Sequence, residues 1–527
     1  MRDFQTPGRS LVYAANGLCA ASHPLAALTA VRLLQEGANA VDAAIAAALV
    51  LGIAEPHMTG IGGDLFVLLK PPGEERILGL NGSGRAPAGL EAAALRAAGH
   101  AVVPPDAAAA VTVPGAIDAF LRLSAEWGRI GREATLAPAI RAAEAGVPVA
   151  PRVALDWETE AQRLRGDARR FYLLDGRVPR VGQTFRAPGQ AEVLRRIARD
   201  GRAGFYEGEV AEDMVASLRA LGGAHTLDDF AATRCDWVEP VAGPYRGHEI
   251  VEIPPNGQGA TAILLAGILG HFDLAALDPL GAERAHLEAE ATKLAYDARD
   301  RFISDPSHPG MRVDRMLAPE TAAALAALID PGRAMADPAR AAGAVHRETI
   351  YLTVVDRDRM AVSLIYSIYH GFGSGLASAR FGINFQNRGA GFTLAEGHPN
   401  EAGPGKRPMH TIIPGMLRRE GRLVMPFGVM GGAYQPTGHA RLASNLLDFG
   451  MDPQAAIDAP RSFARDGVLT LEAGYAPEVA AALEARGHRV ARAASPIGGA
   501  QAIVIDEALG VLVGASDPRK DGCALGY

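Results

Sequence analysis

Apolar residues recur at helical spacing through Pro24–Glu36 and again through Asn39–Ala54, with a Gly37-Ala38 break between them. This predicts two consecutive helices. Asn39 and Asp42 stand at the second start, where unpaired backbone N–H groups favour polar side chains. The most apolar window, Val41–Ala54, is interrupted by Asp42 and ended by Glu55-Pro56. It falls short of the ~20 residues a bilayer span needs, so it reads as a buried helix. A glycine-rich turn, Thr59-Gly-Ile-Gly-Gly-Asp64, then leads into a predicted strand Leu65–Leu69, and a second strand, Arg76–Leu80, runs into Asn81–Pro87. From about 105 to 345 the pattern is mainly helical, with amphipathic segments at Ala116–Trp127, Leu136–Ala145, Gln190–Asp200 and Val210–Leu221, and an extended piece at His248–Ile253. A Pro- and Ala-rich stretch, Asp330–Val345, has the composition of an exposed linker, and it ends in His346-Arg347-Glu348.

At Thr349 the period changes from helical to extended. Thr349–Asp356 and Met360–Ser367 are rich in β-branched and aromatic residues and are joined by the polar turn Arg357-Asp358-Arg359, which predicts a hairpin. Further strands are expected at Gly382–Gln386, Thr411–Leu417, Arg422–Pro426, Val468–Leu471 and Ala500–Ile505, with helices at His439–Phe449 and Pro477–Arg486. No fixed-period repeat is present. The whole is a mixed α/β chain.

Composition narrows the function classes. The chain has 527 residues, 48% hydrophobic and 21% charged, as expected of a globular protein with a large core. A net charge of -7 and the lack of any Lys/Arg-rich block argue against nucleic acid as a partner. Three cysteines, Cys19, Cys235 and Cys523, without a CxxC pair fit neither a disulfide framework nor a cysteine zinc site. The polar start, Met1 to Ser10, lacks the apolar run of a secretory signal. A cytoplasmic protein without a membrane partner is the simplest expectation.

The candidate chemistry sits at the linker–strand junction. A threonine hydroxyl is a poor nucleophile unless a base takes its proton. If the peptide bond between Glu348 and Thr349 is cut, the freed α-amine belongs to the same residue as the hydroxyl. Its ordinary pKa of about 7.7–8.0 leaves a useful neutral fraction near pH 7. The alternative is that Thr349 merely starts a strand, as β-branched residues do. Spacing alone leaves both open.

The run Thr349-Ile-Tyr-Leu-Thr-Val-Val-Asp356, followed by Met360-Ala-Val-Ser363, resembles the small-subunit start of γ-glutamyltranspeptidases. Other blocks similar to that family are Gly37–Ala44, Glu55-Pro56, Gly60–Gly63, Val113-Pro-Gly115, Gly204–Gly208 and Pro254-Pro-Asn-Gly-Gln-Gly259. They continue with Gly371–Gly375, Met430-Gly-Gly432, Ala459-Pro-Arg461 and Gly514–Arg519. The resemblance implies an N-terminal-nucleophile (Ntn) hydrolase: a four-layer αββα sandwich, α+β in content, formed jointly by two autoproteolytic fragments. Those fragments would be a large subunit, 1–348, with a mobile linker over about 330–348, and a small subunit, 349–527. They would stay together as a heterodimer, and pairing of heterodimers is implied by the resemblance alone.

Roles implied by the same resemblance fall on particular residues. Thr349 matches the nucleophile and Ser367 the supporting hydroxyl, where the family has threonine. Gly431 and Gly432 match the pair whose N–H groups hold the oxyanion; read in isolation, such a pair is a turn. The acidic residue that receives a substrate ammonium is replaced, because Gln386-Asn-Arg-Gly-Ala-Gly-Phe392 carries Ala390 and Gly391 there and adds Arg388. The paired serines become His410 and Thr411, and Tyr369 stands where a substrate-binding asparagine is expected. The arginine before the Ala-Pro proline is displaced to Arg85, which reads equally as a substrate contact or a surface side chain. These departures resemble a branch that includes oxamate amidohydrolase. They point to hydrolysis of a small acidic amide lacking an α-amino group, with Arg85, Tyr369, Arg388, His410 and Thr411 as substrate-binding candidates. Glutathione hydrolysis or γ-glutamyl transfer is the first alternative, other acylamide hydrolysis stays open, and a catalytically silent binding protein is the last. No cofactor is implied. His286 and Glu290 share a helix face, but no HExxH pattern or third ligand accompanies them, so no metal is expected. Neither a phosphate loop nor a GxSxG elbow occurs.

Overall fold

The computed structural model describes Gln5, residues 8–335 and residues 349–527. Strands of the two main sheets are numbered in chain order: β1 (Val12–Ala14), β2 (Leu18–Ala21), β3 (Asp64–Lys70), β4 (Leu78–Gly82), β5 (Asp236–Val238), β6 (Val241–Tyr245) and β7 (His248–Glu252). After residue 349 come β8 (Ile350–Val355), β9 (Ala361–Ser367), β10 (Gly415–Arg419), β11 (Arg422–Met430), β12 (Gly499–Asp506), β13 (Val511–Ser516) and β14 (Cys523–Gly526). One sheet has the order β1-β13-β12-β11-β10-β7-β6 and the other β14-β2-β8-β9-β3-β4-β5. Every neighbouring pair in both is antiparallel.

Helices cover the two outer faces. α1 (Pro24–Gln35) and α2 (Ala40–Ala54) pack on the sheet that contains β8 and β9. α3 (Gly259–Leu269) and α5 (Gln435–Leu447) pack on the other, and α4 (Ala282–Phe302) packs against α3. The inner faces meet through Tyr351, Ile365, Met416, Met430 and Ile503, all buried in one cluster. This is the four-layer αββα sandwich.

α2 shows how local sequence places such a layer. Every residue of it is buried, as expected for a helix apolar all round. Its start is secured by a capping box between Asn39 and Asp42. Asp42 Oδ2 also accepts from Arg129 N (2.9 Å), and Asp356 Oδ2 accepts from Ala40 N (2.9 Å). The buried polar groups are thereby satisfied, and the helix can lie flat beneath β8 and β9.

Residue 349 divides these sheets in an interleaved way. β2 pairs with both β8 and β14, β3 with β9, β1 with β13, and β7 with β10. Each of these ladders joins a strand before residue 349 to a strand after it. A chain cut at that point would keep both pieces in one core.

Several expected elements end elsewhere. Gly382–Gln386 is no strand: Phe385 N and Ile383 N bond to Leu376 O and Ser378 Oγ, and Ala377↔Asn384 is an isolated bridge. The strand expected from Thr411 starts at Gly415, because Ile412 N faces His410 Nδ1 (3.4 Å) and Ile413 N donates to Gln435 Oε1 (2.8 Å) instead of a ladder. Asp330–Met335 is docked, not loose. Ala334 N bonds Arg486 O (2.8 Å) and Met335 N bonds Glu290 Oε2 (2.8 Å). The rest of the expected linker, 336–348 with Glu348, lies outside the described residues. Among the described residues no helix is long and apolar enough to cross a membrane.

Candidate active site

The β8–β9 hairpin sets the centre of the site. Ile350 pairs with Tyr366, so the residue before β8, Thr349, meets the last residue of β9, Ser367. Thr349 is 1% exposed, and its Oγ1 donates to Ser367 Oγ at 3.3 Å. On the far side of β9, Ser367 pairs with Asp64 of β3. The Gly60–Gly63 turn closes against this strand end. A Cβ on Gly63 would lie 2.5 Å from Ser367 O, and one on Gly62 2.1 Å from Asn384 O. Glycine is needed here so that the turn can approach the backbone of the site.

Arg388 supplies the positive charge. It is fully buried; Nη2 donates to Ser367 Oγ (3.1 Å) and Nη1 to Thr411 Oγ1 (2.9 Å). Its guanidinium lies over the Tyr369 ring, 4.0 Å from the centroid, a stacking contact favourable to a desolvated cation. Tyr369 has φ of +82° and its N–H donates to Ser367 Oγ at 2.9 Å. A bulky residue in the left-handed region is strained, and here the strain lets one chain segment present both a backbone donor and an aromatic face.

His410 stands behind Arg388. Its Nε2 donates to Asp64 Oδ2 at 3.1 Å while its ring packs on Phe66. Burial and the neighbouring Arg388 charge push its pKa down to about 3, so it is neutral at physiological pH. Asp64 Oδ1 also accepts from Gly84 N (2.8 Å) and Gln386 Nε2 (2.8 Å). His410 and Asp64 therefore brace the 386–388 and 410–411 segments.

Gly431 and Gly432 follow β11 and precede α5, with φ of +121° and +57°. A Cβ on Gly431 would come within 2.9 Å of Gly498 Cα. The pair thus lies at the N-terminal end of a helix, where backbone N–H groups and the helix dipole favour negative charge. Gln258, one residue before α3, ties this loop to the rest. Its Nε2 donates to Thr411 O (2.6 Å) and Gly432 O (3.1 Å), and its Oε1 accepts from Arg299 Nη1 (3.1 Å). A continuous chain of hydrogen bonds accordingly runs from Thr349 through Ser367, Arg388, Thr411 and Gln258 to Gly432.

Arg85 is not part of that chain. Its side chain is 47% exposed, donates to Gly405 O (3.1 Å) and faces Asp305 (3.6 Å) and Asp236 (4.0 Å). Tyr369, Arg388 and Thr411 are brought into the hydrogen-bonded cluster around Thr349 and Ser367, and His410 lies one layer behind. Gln258, Arg299 and Asp64 were not singled out by the sequence reading. Gln258 and Asp64 lie within or beside blocks quoted above, and the block itself was the only signal. His286 and Glu290 do gain a third neighbour, His488, from more than a hundred residues beyond Thr349. They are engaged in hydrogen bonds: His286 Nδ1 with His488 Nε2 (2.8 Å), and Glu290 with Lys293 Nζ (2.7 Å) and Met335 N (2.8 Å). With an ammonium on the carboxylate, this cluster is a poor cation site.

Comparisons with known proteins agree with this geometry. The family model described as Gamma-glutamyltranspeptidase matches residues 26–527. The oxamate amidohydrolase proenzyme of Klebsiella pneumoniae is 37% identical over 97% of this chain and 98% of its own length. A glutathione hydrolase-like proenzyme of Bacillus subtilis is 35% identical over 96% and 97%. Among solved structures, a cephalosporin acylase from Bacillus halodurans superposes with a TM-score of 0.92 at 38% identity, covering 100% of this chain and 99% of that one.

Proposed function

The chain belongs to the gamma-glutamyltranspeptidase family of Ntn hydrolases, and from that premise we propose that it is made as a precursor, cuts itself before Thr349 and hydrolyses the amide of a small acidic substrate of the oxamate type. Cleavage yields fragments 1–348 and 349–527, which remain a heterodimer through the interleaved ladders. The α-amine of Thr349 then accepts the hydroxyl proton and Oγ1 attacks the amide carbonyl. Ser367 Oγ, 3.3 Å away, orients that hydroxyl. The N–H groups of Gly431 and Gly432 receive the oxyanion, a task for which one donor contributes about 3–4 kcal/mol. The amine leaves with the proton returned by Thr349, and water releases the acyl group.

The observation that carries the acidic-substrate reading is the position of Arg388. Its Nη2 bonds the same Ser367 oxygen that accepts from the nucleophile. A fixed guanidinium at that distance suits a carboxylate attached to the scissile carbonyl carbon itself, which it can grip in bidentate fashion. A γ-glutamyl group carries its carboxylate several bonds further off and adds an ammonium, which Ala390 and Gly391 cannot pair. Water is the second substrate in this reading.

The second reading, γ-glutamyl hydrolysis, is favoured by the relatives named glutathione hydrolase or glutathione hydrolase-like. Steady-state kinetics on oxamate and γ-glutamyl-p-nitroanilide side by side separate the two. Turnover of oxamate with little of the anilide is expected; efficient γ-glutamyl turnover with inert oxamate overturns the proposal.

A further inference from the structure

A pocket of about 560 Å³ has Gly431 in its wall. Met58, Tyr434, Phe463, Val468 and Ile497 make most of that wall apolar, with the Tyr434 and Phe463 rings edge to face at 5.4 Å. Glu160, Arg465, Asp466 and Arg492 also line it, as does Lys520, whose Nζ is drawn toward Asp156 at 3.6 Å and whose stem lies close over Gly499. The Lys520 side chain therefore shows the pocket its methylenes more than its charge. Arg388, Ser367, Tyr369 and Thr411 are all absent from the described lining. The carboxylate anchor and this pocket are thus separate features, and Gly431 is the assigned site residue that lines the pocket. The acyl half of the substrate belongs to Arg388, and the pocket is left for the amine half.

Oxamate has no use for such a space. It releases ammonia, comparable in size to a water molecule at about 30 Å³, whereas the pocket is of the size that encloses a whole small ligand. We infer that the enzyme cleaves secondary oxamates whose nitrogen carries an aryl or branched-alkyl group, seated against Tyr434 and Phe463. The inference rests on the acyl-side reading given under Proposed function. In the reaction Thr349 Oγ1 bonds to the amide carbonyl carbon and the C–N bond breaks. The nitrogen takes the proton held on the Thr349 amine, and water then hydrolyses the oxalyl ester. One N-substituted oxamate and one water give one amine and one hydrogen oxalate, without change of oxidation state.

The test uses the mature enzyme with N-phenyloxamate and oxamate, reading aniline and oxalate by chromatography. kcat/KM for N-phenyloxamate is expected to exceed that for oxamate at least ten-fold. Ala493→Trp and Thr470→Trp, both on the pocket wall, should each lower that ratio at least ten-fold, with oxamate turnover showing that the variants fold. Oxamate cleaved but N-phenyloxamate inert, or a ratio unmoved by both variants, overturns this inference and leaves the acyl-side reading standing. Failure of both substrates overturns the acyl-side reading and the inference with it.

Discussion

Arg388 and Thr349 converge on a single atom. Ser367 Oγ accepts from Arg388 Nη2 at 3.1 Å and from Thr349 Oγ1 at 3.3 Å. The nucleophile and the cation assigned to the substrate carboxylate are thereby held at a fixed separation by one serine. Any change at these three positions tests the acid-binding mechanism.

Arg388→Lys keeps the charge but loses the planar fork and the stack on Tyr369. We expect kcat/KM on oxamate to fall about 30-fold, roughly 2 kcal/mol, and mainly through KM. An unchanged KM would place the carboxylate elsewhere.

Ser367→Ala removes the oxygen that both groups share. It should lower kcat by about 10–100-fold, in the range of a lost orienting hydrogen bond in a water-poor site. Ser367→Thr restores the hydroxyl type found in the family and should recover most of the loss. Stopped-flow measurement of acyl-enzyme formation locates the defect in the first step.

Gln258→Leu deletes two donors and one acceptor at a fully buried position. Thr411 and the Gly431–Gly432 loop lose their link. The expected result is a reduced kcat with KM changed less than three-fold, since Gln258 touches the loop carrying the oxyanion donors and not the substrate. A pure KM effect would count against that placement.

Much of this was readable beforehand. The helix at 40–54 announced itself by an apolar run behind the polar Asn39 and Asp42, which in the structure form a capping box. The hairpin around residues 357–359 was legible from its strand pattern, whereas Ser367 as the partner of Thr349 was implied only by the family resemblance. Features that depend on distant segments were not readable. Arg299 reaches Gln258, and His488 reaches His286 across 202 positions, and no local pattern records either meeting. The strand expected at 382–386 failed for a nearer reason, since Ser378 and Leu376 satisfy the amides that a ladder would otherwise take. Arg85 illustrates the converse. Its place in the sequence suggested the site, but Gly405 O, Asp236 and the buried Asp305 hold it elsewhere.

Two buried histidines set an acid limit on stability. The pKa of His410 is lowered to about 3 by burial and Arg388, and that of His488 to about 4 by burial, Lys293 and His286. The unfolded chain binds these protons near pH 6.5 and the folded protein does not. Their stabilisation is therefore complete above about pH 6.5 and is lost progressively as pH falls toward the folded values. The expected slope is about 1.4 kcal/mol per pH unit for each histidine between those limits. Denaturant unfolding of wild type and His488→Gln from pH 7 to 4.5 should show a shallower slope in the variant. Parallel curves would assign the acid sensitivity to other groups.

The account depends most on a freed amino group at Thr349. Intact-mass analysis and N-terminal sequencing of the purified protein address it directly. Two fragments are expected, the smaller starting Thr-Ile-Tyr-Leu, and a Thr349→Ala variant should remain one chain. A wild-type protein that stays at its full 55.0 kDa while hydrolysing its amide substrate, or one cut at another residue, would contradict the mechanism.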